Sequence, residues 1–177
     1  MPNWCENELD IEGPEEFIKE LKTHLKTGKE DKLDFNEFVP YPKSFIELDK
    51  KAKAQDKKRG KAIADGLSHE EATKKYPYVK DGFNQGGHKW CCKNWGTKWN
   101  ACDVSISFED KEGMHIEMDT AWSPPIPVIE AMAKKFPGLI FTLRFFECGA
   151  GFNGYHRWEK GKIVEAKEGD YFGNRGG

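Results

Sequence analysis

Twice in this chain an alternation of apolar and polar side chains runs into a Gly/Pro break and re-emerges with helical spacing. In residues 3–12, Cys5, Leu9 and Ile11 face inward while Trp4, Glu6, Glu8 and Asp10 face outward, the period of a half-buried strand. Asn7 is the inward exception and needs hydrogen-bond partners there. Gly13-Pro14 stops the strand, and Pro14 suits the first turn of a helix. Glu15 and Glu16 complement its N-terminus, and Phe17, Ile18, Leu21 and Leu25 share one face up to an end at Gly28. Further on, Val104, Ile106 and Phe108 alternate with Asp103, Ser105 and Ser107. After a turn over Asp110–Gly113, Met114, Ile116 and Met118 alternate with His115, Glu117 and Asp119, giving a hairpin with one wet face. Ser123-Pro124-Pro125 breaks it, and Val128, Ile129, Met132, Ala133 and Phe136 mark a second helix closed by Pro137-Gly138. Leu139–Phe146 is an apolar strand. Tyr155–Trp158 and Lys162–Glu165 form a further hairpin across Glu159-Lys160-Gly161.

The succession strand, helix, strand, strand, helix, strand is the split β-α-β pattern. It predicts an α+β fold with a ferredoxin-like β-α-β-β-α-β core: an antiparallel sheet, two helices on one face, and an extra C-terminal hairpin. The middle of the chain does not fit that rhythm. Residues 35–42 read as extended and braced by Pro40 and Pro42. Residues 45–65 are helical in composition with a thin apolar face. Ser68-His69-Glu70-Glu71 has capping-box spacing and opens a short helix that Pro77 ends. Residues 78–101 show no period, and a long irregular stretch in a compact domain is usually functional when ordered. The expectation is one domain over residues 1–170 with a helical and irregular insertion at about 29–100, then a flexible tail at 171–177. A chain of 177 residues with twelve Phe, six Trp and five Tyr has the apolar payload for one core.

The net charge of −2 gives no global pull towards nucleic acid or membrane. Its distribution is uneven: Glu6–Glu37 is mostly acidic, whereas Lys50–Lys61 carries seven Lys or Arg against Asp56 alone. No apolar run reaches the roughly 18–20 residues that span a bilayer, and the start lacks the features of a secretory signal. Five cysteines, an odd number, read as free thiols of a reducing compartment, with a single bridge as the alternative. A cytoplasmic protein of a bacterial cell is expected.

Candidate sites divide into a few constellations, each with a bland counterpart. Trp90, Trp95 and Trp99 alternate with Lys89, Lys93 and Lys98 and could stack bases and neutralise phosphates; equally, the indoles could roof the open sheet face, with Lys98 on a carboxylate. His88, Cys91, Cys92 and Cys102, completed by Cys5 or Cys148, contain one weak pair and lack the second knuckle of a zinc site, so free thiols are the expectation and no metal is assigned. Residues 147–154 are glycine-rich after a strand but lack the phosphate-loop pattern and a following helix. Glu147 is a candidate buried carboxylate, bound to Lys98 or to indole N–H groups. Nothing in the spacing joins His115, His156 and Cys5 into a thiol–imidazole pair, and the Lys50–Lys61 run is ordinarily a solvated helix face.

Four stretches also carry a resemblance. Residues 1–7 with Leu9-x-Ile11-x-Gly13, the block Asn94-Trp95-Gly96-Thr97-Lys98-Trp99-Asn100-Ala101, Thr120-Ala121-Trp122-Ser123-Pro124-Pro125, and Glu147-x-Gly149-x-Gly151-Phe152-x-Gly154 resemble the YubB-type ferredoxin-like proteins of phages and plasmids. The likeness covers residues 1–28 and 90–165. It implies a ferredoxin-like fold and a mobile-element origin, and brings no established activity. The sequence departs from the family's pattern at Cys91-Cys92 and at Cys148. The topology itself carries no iron–sulfur cluster, and the C-x₂-C-x₂-C spacing is absent.

The expected function is an interaction protein that binds a host or phage protein, such as a defence component, with no cofactor and no catalytic residues assigned. Its binding residues would be Trp90, Trp95, Lys98, Trp99 and Asn100 in the irregular segment, Trp122 after the hairpin, and Glu147, Phe152 and Tyr155 around the glycine-rich turn. The alternative is nucleic-acid or nucleotide binding through Trp95, Lys98, Trp99 and the Lys50–Lys61 face, as ferredoxin-like sheets of the RRM type do, although the RRM sequence blocks are absent. A weaker third reading is a small hydrolase or transferase using Glu147 with Lys98.

Overall fold

Among the described residues, six strands and five α-helices follow one another. The structure is a computed structural model and describes residues 3–25, 32–107, 113–173 and 175. The elements are β1 (Trp4–Glu12), α1 (Glu15–Lys22), α2 (Lys43–Ala64), α3 (His69–Lys75), α4 (His88–Asn94), β2 (Cys102–Ser107), β3 (Gly113–Ala121), α5 (Ile126–Lys135), β4 (Ile140–Glu147), β5 (Phe152–Glu159) and β6 (Lys162–Asp170). The strands form one sheet in the order β2-β3-β1-β4-β5-β6, and every neighbouring pair is antiparallel. β2-β3-β1-β4 is the ferredoxin-like order, and β5-β6 extends it beyond β4. The chain forms two compact units, residues 1–40 with 91–177, and Tyr41–Trp90.

In the first unit, α1 and α5 cover the sheet face that carries Leu9, Ile11, Ile116, Phe141, Leu143 and Phe145, all fully buried. Each such side chain contributes about 1.5–3 kcal/mol through removal from water. Asn7 finds its partners on the same face: its Nδ2 donates to Thr120 Oγ1 at 2.9 Å, Cys5 O at 2.7 Å and Met118 O at 3.2 Å. The opposite face is a field of charges. On β1 it carries Glu6, Glu8 and Asp10, and β3 places Asp119, Glu117 and His115 directly opposite them. Arg144 reaches Asp10 at 2.7 Å and Glu8 at 3.7 Å.

The Tyr41–Trp90 unit is built on α2, which buries only Ala52, Arg59 and Ala62. Arg59 bonds to Asp56 and to Tyr76 O, and stacks 3.7 Å from the Tyr78 ring centroid. The capping box of α3 is present, with Ser68 and Glu71 bonded reciprocally. Gly82 lies against the Phe45 backbone, where a Cβ has no room. Asp49 Oδ1 accepts from the N–H groups of Gly82 and Phe83 at 2.8 and 3.3 Å.

Several expectations are corrected. Helix α1 ends at Lys22, before Leu25, because Thr23 turns its Oγ1 onto Glu20 O at 2.7 Å and closes the last turn; Gly28 lies outside the described residues. Residues 35–37 form a 3₁₀ turn, not an extended run, because the Asp34 carboxylate accepts from Asn36 N–H. Residues 78–101 are not structureless: a π-type turn at Phe83–Gly87 leads into α4. The helix shows no amphipathic period because Cys91 is its one buried residue. Phe108 and most of the turn after it lie outside the described residues. Where a flexible tail is expected, Tyr171 donates to Gly151 O at 2.8 Å and Arg175 reaches Glu8 at 2.6 Å and Glu6 at 3.2 Å.

Candidate functional site

The block Asn94–Ala101 is pinned to the end of β3 by residues that allow little substitution. Gly96 has φ +79°, and a Cβ there would stand 2.8 Å from both Pro124 O and Pro127 Cδ. Thr97 is fully buried and donates to Ala121 O at 2.9 Å. Ser123 Oγ donates to Gly96 O at 2.5 Å, and Thr120 Oγ1 donates to Ser123 O at 2.8 Å. A polar chain thus runs from Asn7 through Thr120 and Ser123 to Gly96 and fixes where the next two side chains emerge.

Those two are Lys98 and Trp99. Trp99 meets Trp4 edge-on, with ring centroids 6.3 Å apart. Lys98 Nζ stands 4.7 Å from the Trp99 ring and 4.5 Å from the Trp122 ring. Trp122 is 43% exposed and adopts φ +72°, a left-handed conformation unusual for a bulky residue; its N–H donates to Asn3 O at 3.0 Å. Three indoles and one ammonium therefore form a patch at one end of the sheet. The next row along the charged face is acidic, with Glu6 directly opposite Asp119. Burial, then Glu6, then Asp103 hold the Asp119 carboxyl above its ordinary range.

The other sequence candidates have different surroundings. Trp95 is 5% exposed, packs edge-on against the buried Phe35 at 5.8 Å and donates its indole N–H to Val39 O at 2.8 Å. It belongs to the core. Asn100 is a clasp: its Oδ1 accepts from Phe35 N–H and Ala101 N–H, both at 3.0 Å, and its Nδ2 donates to Asp34 at 2.8 Å. Trp90 belongs to the Tyr41–Trp90 unit, where it packs edge-on against Tyr41. Phe152 is half-buried against Phe145, and the Tyr155 hydroxyl donates to Glu165. Trp4 was legible as an outward residue of β1, but nothing in the sequence placed it beside Trp99.

Lys98 and Glu147 are not brought together, which corrects the expected pairing: Lys98 has two indole faces nearby, and Glu147 is turned into the protein. Glu147 is fully buried, its Oε2 accepts from Ala150 N–H, and its Oε1 has no hydrogen-bond partner. Asn3 and Glu147 both border Gly149. All five cysteines are free thiols. Burial above all pushes the Cys5 thiol up to about 12, leaving it without nucleophilic character at neutral pH. His115 bonds to Asp10 at 2.6 Å and His156 to Glu168 at 3.0 Å, so neither faces Cys5. Among the described residues no group of three or more His, Cys, Asp or Glu could hold a metal ion, and no helix is long and apolar enough to cross a membrane.

Comparison with known proteins agrees with this architecture. The chain is similar to the crystal structure of a protein api92 from Yersinia pseudotuberculosis, at 10% identity and a TM-score of 0.57, over 99% of this chain and 100% of that one. At that identity the likeness shows the fold alone. No curated protein matches the chain. Residues 94–174 match the family model described as a ferredoxin-like domain in Api92-like protein. That segment holds Lys98, Trp99 and Trp122 together with β2 to β6, and it is there that the chain is similar to the Api92-like family.

Proposed function

We propose that this chain is an interaction protein of phage or plasmid type that holds a host or phage protein at the patch of Trp4, Lys98, Trp99 and Trp122. The observation that carries the reading is the half-exposed Trp122, fixed by its own backbone beside Lys98. Rigid aromatic anchors dominate the energetics of protein interfaces. The neighbouring carboxylates Asp103 and Asp119 favour a partner segment that brings Arg or Lys, while Glu6 beside them is held by Arg175. They also disfavour nucleic acid on this face, because the central strands β1 and β3 present carboxylates where an RRM-type sheet presents aromatic stacking platforms.

A second reading rests on a separate observation. Residues 41–90 carry twelve Lys or Arg against seven Asp or Glu, while the rest of the chain carries sixteen against twenty-three. On α2, Lys50, Lys51, Lys53, Lys57, Lys58 and Lys61 are all exposed. A basic helical unit of this kind suits an acidic polymer such as nucleic acid.

One experiment separates the two: a tagged pull-down from bacterial lysate, with and without nuclease, using the parent protein and Trp122→Gly. The first reading expects one stoichiometric protein that survives nuclease and is lost with Trp122→Gly. Material that absorbs at nucleic-acid wavelengths, vanishes with nuclease and ignores Trp122→Gly supports the second reading and sinks the first.

A further inference from the structure

The stretch after β6 crosses the charged face of the sheet as a strap, with a hold on each strand it passes. Tyr171 N–H donates to Gly151 O at 2.8 Å, and Asn153 of β5 donates its Nδ2 to Phe172 O at 3.3 Å. Gly173 then turns the chain at φ +122°, a conformation that suits glycine. Arg175 follows, its guanidinium 4.3 Å from the ring centroid of Phe146 on β4, and reaches Glu8 and Glu6 on β1 at 2.6 and 3.2 Å. Tyr171 fixes this approach: its hydroxyl donates to Arg175 O at 2.6 Å and accepts from Arg175 N–H.

The seat that Arg175 fills has the parts that recognise a guanidinium, a ring and two carboxylates. Glu6 lies directly opposite Phe146 in the β1–β4 ladder, and Glu8 directly opposite Arg144, so paired strands set the spacing of the three groups. A guanidinium can stack on a ring while its fork of N–H donors meets carboxylates, a match that an ammonium lacks. The present occupant is lightly held. Phe172 is 79% exposed and anchors nothing, and the Arg175 side chain is itself 40% exposed. Ion pairs at such exposure contribute little and exchange readily. Beside the seat, a hollow of about 430 Å³ opens between Phe146, Tyr155 and Phe172.

We propose that Glu6, Glu8 and Phe146 form a seat for an arginine of a partner polypeptide, and that Arg175 fills it in cis until that arginine displaces it. The incoming side chain meets the ring and the carboxylates that Arg175 leaves, so the exchange strands neither carboxylate. The residues flanking the partner's arginine gain the hollow. Arg175 is tethered to its seat and competes at a high effective concentration, which sets a threshold for the partner. The seat shares no residue with the patch of Trp4, Lys98, Trp99 and Trp122, and it stands whether or not that patch holds a partner.

The test is a titration of the isotope-labelled full chain with Nα-acetyl-arginine amide, whose blocked ends leave only the side chain to be read, followed by amide chemical shifts. The proteins are the parent, Arg175→Ala, Arg175→Ala with Glu8→Gln, Trp122→Gly, and Lys162→Ala as the control for a lost positive charge. Shifts should centre on Glu6, Glu8 and Phe146, and Arg175→Ala should bind about fivefold more tightly than the parent. Trp122→Gly and Lys162→Ala should match the parent, Glu8→Gln should abolish the gain, and Nα-acetyl-lysine amide should bind more weakly. No binding to Arg175→Ala, a gain no larger than that of Lys162→Ala, or a lysine derivative bound as tightly overturns the proposal. Shifts that centre on Trp122 and vanish with Trp122→Gly overturn it too, and leave the aromatic patch as the cation's site.

Discussion

Lys98 bridges Trp99 and Trp122, its Nζ 4.7 Å from one ring centroid and 4.5 Å from the other, so residues brought together from a loop and from the end of β3 share one cation. Neither indole reaches that position by its own strand geometry. Gly96 and the left-handed backbone of Trp122 deliver them, and the first three predictions concern the devices that build or border the patch.

Trp122 at φ +72° carries a conformational cost that glycine does not. Trp122→Gly removes the ring and relieves that cost together, so its stability should stay within about 1 kcal/mol of the parent. Trp122→Ala loses the ring and keeps the strained backbone, and should be less stable than the glycine variant by about 1 kcal/mol. Urea unfolding of the pair measures the difference. An alanine variant as stable as the glycine one would contradict the strained backbone at this position.

Gly96→Ala should be the more damaging change. The added Cβ meets the Pro124 carbonyl and the Pro127 ring at 2.8 Å in a backbone conformation that alanine resists. A loss of about 2–4 kcal/mol is expected, at the upper end of single-residue effects. Tryptophan fluorescence should shift at the same time, because Thr97, Lys98 and Trp99 depend on this turn. Thermal unfolding and an emission spectrum of the folded variant are sufficient checks.

Much of this architecture was legible because local and tertiary demands coincide. The alternation of β1, β3 and β4 follows from one face being buried, Pro14 and Pro125 stand where helices begin, and the Ser68–Glu71 capping box is a purely local device. Helix α4 was not legible, since a helix that buries Cys91 alone leaves no hydrophobic period in its sequence. The site was half legible. The Asn94–Ala101 block announced an aromatic and basic cluster, but side-chain chemistry could not assign Trp95 to the core and Trp99 to the surface. Gly96 makes that division, and it acts through contacts with Pro124 and Pro127, which are distant in sequence. Trp4 joins the patch only through strand pairing, which sequence spacing does not encode.

Asp119 gives a pH signature to the acidic row beside the patch. Burial, Glu6 and Asp103 raise its pKa above 3.8, so the folded protein favours its protonated form. Its contribution is therefore most favourable below the unfolded pKa and is lost as pH rises through the folded value. Asp119→Asn should stabilise the protein at pH 7 by about 0.5 kcal/mol, the scale of a half-exposed charge interaction. The advantage should disappear near pH 3, where the parent carboxyl is already neutral. Urea unfolding of both proteins at the two pH values checks this. An advantage for Asn that grows on acidification would reverse the assigned sign.

Glu147 tests whether a buried carboxylate without a salt-bridge partner is a structural device. Its Oε2 ties down the glycine-rich turn through Ala150 N–H, while Oε1 has no hydrogen bond and no described cation forms an ion pair with the group. The acceptor is what the turn uses. Glu147→Gln keeps an oxygen for Ala150 and removes the buried charge, so it should leave stability unchanged or raise it by about 1 kcal/mol. Glu147→Ala strands the Ala150 N–H and opens a small cavity, and should cost about 2 kcal/mol or more. The order Gln, Glu, Ala from most to least stable is opposite to that of a residue held in a salt bridge, where Gln would leave a cation unpaired. Chemical denaturation of the three proteins decides the matter. If Glu147→Gln loses as much stability as Glu147→Ala, the carboxylate charge has a partner, and the turn depends on that charge rather than on the acceptor oxygen alone.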